Sequence, residues 1–338
     1  MEPPSPEGRA RQRETQGRKV PLPGLSSSAR LQPDVDGWGA ISEQTNIFIG
    51  SLAALPTPFE HDRIAETPFA DFVAWQIDEG SQSLVVCGPT GEAATLAPQE
   101  RAQLIHIAVE AAAGRVPIIA ATGTNCTRET IAATQSAQEA GASGAIVVTP
   151  YYNRPTQSGL YRHFFEIARS TDLPLIVEND PSRTGLAILP ETLVQLAKIP
   201  NIVGVADMTG DLAWVLQTQP LLPQDFIRLA GDESVGVLFR MAGGRGSIST
   251  IANLVPKLWA EVQLANLGKH WERAASAQFA LQPLLRALGT ESSPGPVKYA
   301  LSLLRPGFSP DMRLPLVAVS NRTRTAIETA LIDLKLII

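Results

Sequence analysis

The sequence is constrained most by eight short apolar runs that alternate with longer amphipathic stretches from residue 47 onward. The runs cover residues 47–56, 83–87, 117–121, 145–149, 174–177, 202–205, 227–230 and 246–251. A run that is apolar at nearly every position is typical of a parallel strand buried on both faces, so the alternation predicts repeated βαβ units. Eight units favour an α/β fold of the closed (β/α)8 TIM-barrel type. An open doubly wound sheet should carry a Gly-rich fingerprint after its first strand, and none follows the first run.

The helical patterns define three parts of the chain. Between the runs they cover residues 98–113, 128–140, 159–170 and 190–198, and after the last run they cover residues 256–265, 270–288, 295–304 and 321–335. This is more helix than the last barrel unit needs, so we predict a barrel over residues 47–268 and a C-terminal helical region over residues 269–338. Residues 1–46 hold six prolines, a basic stretch and three consecutive serines, with little periodicity. They predict a flexible tail, because such a segment buries too little apolar surface to offset its ordering entropy.

Composition excludes several classes of protein. The 338 residues carry 33 acidic and 28 basic side chains, a net charge of −5, and they show no basic footprint for nucleic acid. No apolar run approaches the ~18 residues of a membrane span. Two cysteines, Cys87 and Cys126, are too few for a disulfide framework. Together with an N-terminus that lacks an apolar leader, they indicate a cytoplasmic protein.

In a barrel of this type the active site forms where the strands end, so the residues directly after each run are the candidates. Polar or glycine-rich segments stand there at residues 88–92, 149–155, 178–185, 206–211 and 231–234. The first of them, Gly88-Pro89-Thr90-Gly91-Glu92, can present backbone N–H groups and a hydroxyl at close range, because glycine lets the main chain approach a ligand. Such a loop suits a carboxylate.

These segments resemble the dihydrodipicolinate synthase / N-acetylneuraminate lyase family over residues 47–338. The first is similar to the family's GTTGE loop, and Tyr151-Tyr152-Asn153-Arg154-Pro155 is similar to its YYNRP segment. Further matches, in the same order, are PSRTG at 181–185, GVADMTGD at 204–211, GDE at 231–233, GGRG at 243–246 and PVK at 296–298. The resemblance implies a (β/α)8 barrel with extra C-terminal helices that assembles as a homo-oligomer, a tetramer or a dimer.

The sequence departs from the family at the residue that carries the chemistry. The family's members are class I aldolases, in which a lysine at the end of strand 6 forms a Schiff base with pyruvate. The resemblance places Ala206 at that position, and an alanine methyl cannot form a Schiff base. The chain has six lysines, and none lies in a strand run or in the turn after it. We therefore expect this barrel to lack the family's covalent catalyst.

The family's proton relay also changes. It uses the first hydroxyl of the GTTGE loop and two tyrosines, and the matching residues here are Pro89, Tyr152 and Glu178. Proline removes both a hydroxyl and one backbone N–H from the loop. The resemblance leaves a carboxylate-binding half to which we assign Gly88, Pro89, Thr90, Gly91, Arg183, Asp180, Asp207, Gly246 and Ile248. Crowded carboxyls raise each other's pKa, so Glu178 is a candidate general acid or base.

Three functions remain open at this stage. The first is an enzyme with lyase-type or hydratase chemistry on a 2-oxo or related acid, in which Glu178 is the acid/base group, Tyr152 relays protons, and Thr90 with Arg183 holds the carboxylate. The second is a non-catalytic family member that acts as a sensor or an assembly subunit. The third is a synthase that Ala206 has inactivated. Glu178, Asp180, Asp207 and Asp232 could ligate Mg²⁺, but strand-end acids more often bond to loop backbone, so we expect no metal and no cofactor.

Overall fold

The computed structural model describes residues 46–338 and contains a closed barrel of eight parallel strands. The predicted tail, residues 1–46, lies outside the described residues except for its last position. The strands are β1 Gly50–Ala54, β2 Ser83–Val86, β3 Ile118–Ala121, β4 Gly144–Val148, β5 Leu175–Asn179, β6 Ile202–Asp207, β7 Ile227–Ala230 and β8 Gly246–Ser249. Because β1 pairs with both β2 and β8, the sheet has no open edge. The predicted TIM barrel is confirmed.

Twelve helices in the described part of the chain surround and extend the barrel. They are α1 Glu66–Asp78, α2 Pro98–Ala112, α3 Thr127–Glu139, α4 Gln157–Ala168, α5 Pro181–Thr184, α6 Pro190–Leu196, α7 Leu212–Thr218, α8 Gly236–Met241, α9 Pro256–Leu267, α10 Trp271–Leu288, α11 Gly295–Leu304 and α12 Asn321–Asp333. A two-stranded hairpin, Phe59–Glu60 with Arg63–Ile64, follows β1. The predicted C-terminal helices are confirmed. No helix within residues 46–338 has both the length and the apolar character that crossing a membrane requires.

The hydrophobic core lies both inside and outside the barrel. Inside it, strand residues such as Leu52, Ile119, Ile176 and Leu229 pack against one another and fill the interior. Ala206 belongs to this inner cluster and is fully buried. Outside the barrel, the C-terminal helices share a core with the early helices. Because the interior is filled, ligand chemistry is confined to the mouth of the barrel.

A buried ion pair joins the C-terminal region to the barrel mouth. The Nζ of Lys298, on α11, donates to Oε1 of Glu92 and to the carbonyl oxygen of Asp311. Both charged side chains are fully buried. The backbone N–H of Arg313 donates to Oε2 of Glu92 at 3.0 Å. Glu92 therefore fixes the loop after β2 against residues 311–313.

Replacing Lys298 is expected to destabilise the protein strongly. Lys298→Met would leave Glu92 with an unpaired buried charge, which costs about 3–5 kcal/mol of the free energy of unfolding. Urea denaturation followed by circular dichroism would measure this loss. The double variant Lys298→Met/Glu92→Gln removes both charges and should recover most of the loss. A single variant that unfolds within 1 kcal/mol of wild type, roughly the value of an exposed pair, would contradict this account of the ion pair.

Candidate active site

A cavity of about 350 Å³ opens at the mouth of the barrel, above the ends of β2, β3, β4 and β5. Its walls come from the strand ends, from the loop after β2 and from the C-terminal segment. The lining residues are Cys87, Gly88, Pro89, Glu92, Ala93, Ala94, Thr95, Arg101, Ala121, Gly123, Ile146, Val148, Tyr151, Glu178, Arg183, Thr184, Ser293, Pro315 and Leu316. Four of the residues predicted from the sequence are among them: Gly88, Pro89, Glu178 and Arg183.

Glu178 is the titratable group best placed for chemistry in this cavity. It lies in β5 in register with Val148 of β4 and Ala206 of β6. Only 6% of Glu178 is exposed. Burial raises the pKa of its carboxyl to about 7, with a further rise from the charge of Asp180 that Arg183 opposes. A carboxyl that titrates near neutrality can both donate and accept a proton.

The other two predicted acids are engaged within the protein and do not line this cavity. Asp180 caps the N-terminus of α5: its Oδ1 accepts from the Ser182 hydroxyl at 2.5 Å and from the Arg183 N–H at 3.2 Å. Asp207 accepts from the Asn179 amide at 2.9 Å and from the Thr209 hydroxyl at 2.7 Å. Both side chains are predicted from the sequence to contact the ligand; in the structure they bond to neighbouring residues, and Oδ2 of Asp180 also lies 3.6 Å from Nε of Arg183.

The loop after β2 offers fewer donors than its sequence suggests. The Gly91 N–H donates to the Gly88 carbonyl oxygen at 3.0 Å, so this amide is already used inside the loop. The Thr90 hydroxyl accepts from Ser293 Oγ at 3.3 Å, and Thr90 is buried. Pro89 has no N–H at all. The Gly91 N–H is therefore used within the loop, whereas the Thr90 hydroxyl still has its own proton to donate. Arg183 is the cationic residue of the predicted carboxylate site that lines the cavity.

Three further predicted residues lie away from the cavity. Tyr152 is 91% exposed, so its side chain faces solvent, and its backbone φ of 71° is left-handed. The neighbouring Tyr151 lines the cavity instead. Gly246 begins β8, at the opposite end of the barrel from the mouth, and a Cβ there would lie 2.4 Å from the Gly50 carbonyl oxygen. Ile248 packs against the barrel interior. Gly246 allows two strands to approach closely, and Ile248 is a partly buried residue that packs against the inner core; neither lines the cavity.

Several lining residues were not predicted as site residues. Pro315 and Leu316 lie between α11 and α12 and reach the cavity only through long-range packing, so no local pattern marks them. Arg101 lies on α2, where it appears as one of several polar helix positions. Cys87 is the last residue of the second apolar run, and burial raises the pKa of its thiol to about 12. A thiol of that pKa is not a nucleophile near neutral pH.

A second, more open cleft of about 680 Å³ adjoins the first and shares Arg183 and Ser293 with it. Its walls include Asp232, Glu233 and Arg286. Glu233 is held by backbone: its Oε1 accepts from the N–H groups of Thr250 at 2.5 Å and Ile251 at 3.0 Å. Arg183 therefore stands between an acid/base cavity and a polar cleft.

The positions of the lysines bear on Schiff-base chemistry. Lys19 lies outside the described residues. Of the other five, Lys198, Lys257, Lys269 and Lys335 are exposed, and Lys298 is buried in its ion pair with Glu92. None of these five lines either cavity. Over residues 46–338, no group of three or more His, Cys, Asp or Glu side chains is arranged to hold a metal ion.

Comparison with known proteins extends these observations. Residues 47–334 match the model of the dihydrodipicolinate synthetase family. The chain is 47% identical over 291 residues to the 4-hydroxy-tetrahydrodipicolinate synthase of Rhodospirillum centenum, an alignment that covers 85% of this chain and 98% of the relative.

Solved structures give the same result. A dihydrodipicolinate synthase of Acinetobacter baumannii complexed with pyruvate is 39% identical, with a TM-score of 0.83 over 86% of this chain and 99% of that one. A monomeric dihydrodipicolinate synthase variant is 36% identical, with a TM-score of 0.84 over 87% of this chain and 99% of that one. The likeness covers the whole barrel and its C-terminal helices.

Proposed function

Because the chain belongs to the dihydrodipicolinate synthetase family, we propose that it binds a small 2-oxo or related carboxylic acid at the barrel mouth and acts on it without a Schiff base. The observation that carries the proposal is the buried carboxyl of Glu178, which lines the cavity directly beside Ala206. Ala206 stands where the sequence resemblance places the family's lysine. The site thus has an acid/base group in register with the position from which an amine would otherwise act.

The cavity supports a simple division of roles. Arg183 at the rim pairs with the carboxylate of the ligand, because a guanidinium binds carboxylates through paired N–H donors. In its carboxylate form Glu178 takes a proton from the carbon next to the one that bears the hydroxyl, and it then gives that proton to the leaving hydroxyl, so that a C–H and a C–O bond break, a C=C bond forms and water leaves; addition of water runs the same steps in reverse. The reaction class is the addition or removal of water, or a related lyase step, next to the carboxylate. The exposed Tyr152 would take part only if a neighbouring copy covered it.

Two other functions are candidates. The family's synthase reaction is favoured by the 47% identity with a curated synthase over nearly its whole length. It needs a nucleophilic amine, and the buried Lys298 is held by Glu92. A sensor or assembly subunit is favoured by the loss of donors from the loop after β2. The proposal includes a homo-oligomer, either a dimer or a tetramer, and a cytoplasmic location; both rest on the sequence alone, and one solved relative is a monomeric variant.

Trapping with borohydride separates the first two functions. We expect the intact mass of the protein to stay unchanged after incubation with pyruvate and sodium borohydride, because no lysine of residues 46–338 lines the cavities. A class I aldolase treated in parallel should gain the mass of one reduced pyruvate adduct. A lysine adduct on this protein, located by peptide mass spectrometry, would refute chemistry without a Schiff base and favour the synthase reaction.

A further inference from the structure

We propose that the acid bound at this site carries an apolar group, a branched or aromatic side chain, that fills the part of the cavity on the β2 side. This inference rests on the proposed function and extends it from a class of head group to a class of substrate. It is drawn from the size of the cavity, the composition of its walls and the uneven placement of its charged groups.

The cavity is too large for a three-carbon acid alone. Its volume is about 350 Å³, whereas a water molecule occupies roughly 30 Å³ of liquid and an acid such as pyruvate needs the room of only a few waters. Cavities of 300–1,000 Å³ generally enclose much larger ligands. An acid held by Glu178 and Arg183 would leave most of the space to be filled by the rest of the same molecule.

Most of the walls of the remaining space are apolar and come from three separate elements; Thr95 and Arg101 are polar side chains among them. The strand ends contribute Ala121, Ile146 and Val148, and the loop after β2 contributes Ala93 and Ala94. The C-terminal segment adds Pro315 and Leu316. Ordered water needs two to four polar partners, and these side chains supply none. Burying a hydrocarbon group against them is favourable by about 0.8 kcal/mol for each methylene.

Two charged side chains in these walls are already engaged within the protein. Glu92 accepts from Lys298 and from the Arg313 N–H. Arg101 donates through Nη2 to the Ala93 carbonyl oxygen at 2.6 Å, while its Nε has no hydrogen-bond partner. Glu178 and Arg183 both come from β5 and the turn that follows it, and Nε of Arg183 lies 3.6 Å from Oδ2 of Asp180. The ligand therefore lies across the mouth, with its acid end toward β5 and its apolar end toward β2 and Leu316.

A series of 2-oxo acids tests the inference by isothermal titration calorimetry on the full chain. The affinity should rise about fourfold for each added methylene from pyruvate to 2-oxobutanoate and 2-oxopentanoate. It should reach about 50-fold for 4-methyl-2-oxopentanoate, which has three more carbons than pyruvate. Equal or weaker binding of the longer acids would overturn the inference. Tighter binding of 2-oxoglutarate than of 2-oxopentanoate would also overturn it, because a cationic group such as Arg101 would then be binding the second carboxylate of the ligand.

A pair of variants locates the effect. Ala94→Leu fills the apolar part of the cavity from an exposed loop position, so the 50-fold preference for 4-methyl-2-oxopentanoate should fall to about fivefold or less. Ala97→Leu makes the same change three residues away, outside the cavity lining, and should leave the preference intact. Equal preference in both variants would refute the assigned location. If no acid in the series binds at all, the proposed function itself fails; binding without dependence on chain length overturns only the inference.

Discussion

Glu178→Gln is expected to lower turnover by about 10²- to 10⁴-fold, the range that a general acid/base group contributes. Glutamine keeps the size of the side chain and a hydrogen-bonding end, but it cannot exchange a proton. Turnover can be followed by proton NMR as the exchange of solvent deuterium into C3 of the 2-oxo acid that binds best. Binding of the acid should persist in the variant, because Arg183 is unchanged. A variant that exchanges at the wild-type rate would favour the non-catalytic alternative.

The same substitution has a readout that does not depend on activity. The folded-state pKa of Glu178 is about 7 against 4.5 for an ordinary glutamate, so the folded protein holds a proton that the unfolded chain has lost between these pH values. Wild-type stability should therefore fall as pH rises from about 4.5 to 7, by about 3 kcal/mol in all.

Glu178→Gln should remove that contribution and unfold at a higher temperature than wild type at pH 8. Glu166→Gln, at a partly exposed position on α4, is the matched control and should show the wild-type dependence on pH. Identical pH dependence in wild type and Glu178→Gln would show that the carboxyl is charged in the folded protein at neutral pH.

The barrel could be predicted from sequence because its signal is local. The run at residues 227–230 coincides with β7, and the helical pattern at 295–304 coincides with α11. A strand buried on both faces must be apolar along its length, and a helix packed on it must repeat every 3.6 residues, so each element carries its own pattern. The ends of two strands were predicted too early. Both β5 and β6 run two residues further than predicted, which places Glu178 and Ala206 inside strands.

The site could be predicted only in part because its remaining features depend on hydrogen bonds and distant packing. The GPTGE loop suggests a carboxylate site, but the sequence does not show that the Gly91 N–H is used by the Gly88 carbonyl. Asp180 stands where a ligand contact was plausible and instead caps α5. Leu316 reaches the cavity from well over 100 residues beyond Glu178. Glu178 could be identified from the sequence because it replaces a tyrosine of the family's motif, and such a replacement is visible without a structure.

Restoring a lysine on β6 is not expected to restore the family's synthase reaction. In Ala206→Lys the introduced amine would lie beside the Glu178 carboxyl, its partner in register on β5. At about 4 Å and an effective dielectric constant near 20, the attraction between the two charges is roughly 4 kcal/mol. That attraction raises the pKa of the amine by about three units and lowers its uncharged, nucleophilic fraction by about 10³-fold.

The double variant Ala206→Lys/Glu178→Tyr distinguishes the effect of the Glu178 charge on the amine from the effect of the altered loop after β2. It removes the carboxylate and supplies a phenol, so borohydride should trap pyruvate on it at least about 10²-fold faster than on Ala206→Lys alone. Ala206→Met is the control for the size of the new side chain: it should fold and should gain no adduct.

Condensation of pyruvate with aspartate semialdehyde should stay slow even in the double variant, because Pro89 provides neither a hydroxyl nor an N–H in the loop after β2. Robust condensation by Ala206→Lys alone would show that the proton relay is intact and that Ala206 by itself separates this protein from a working synthase.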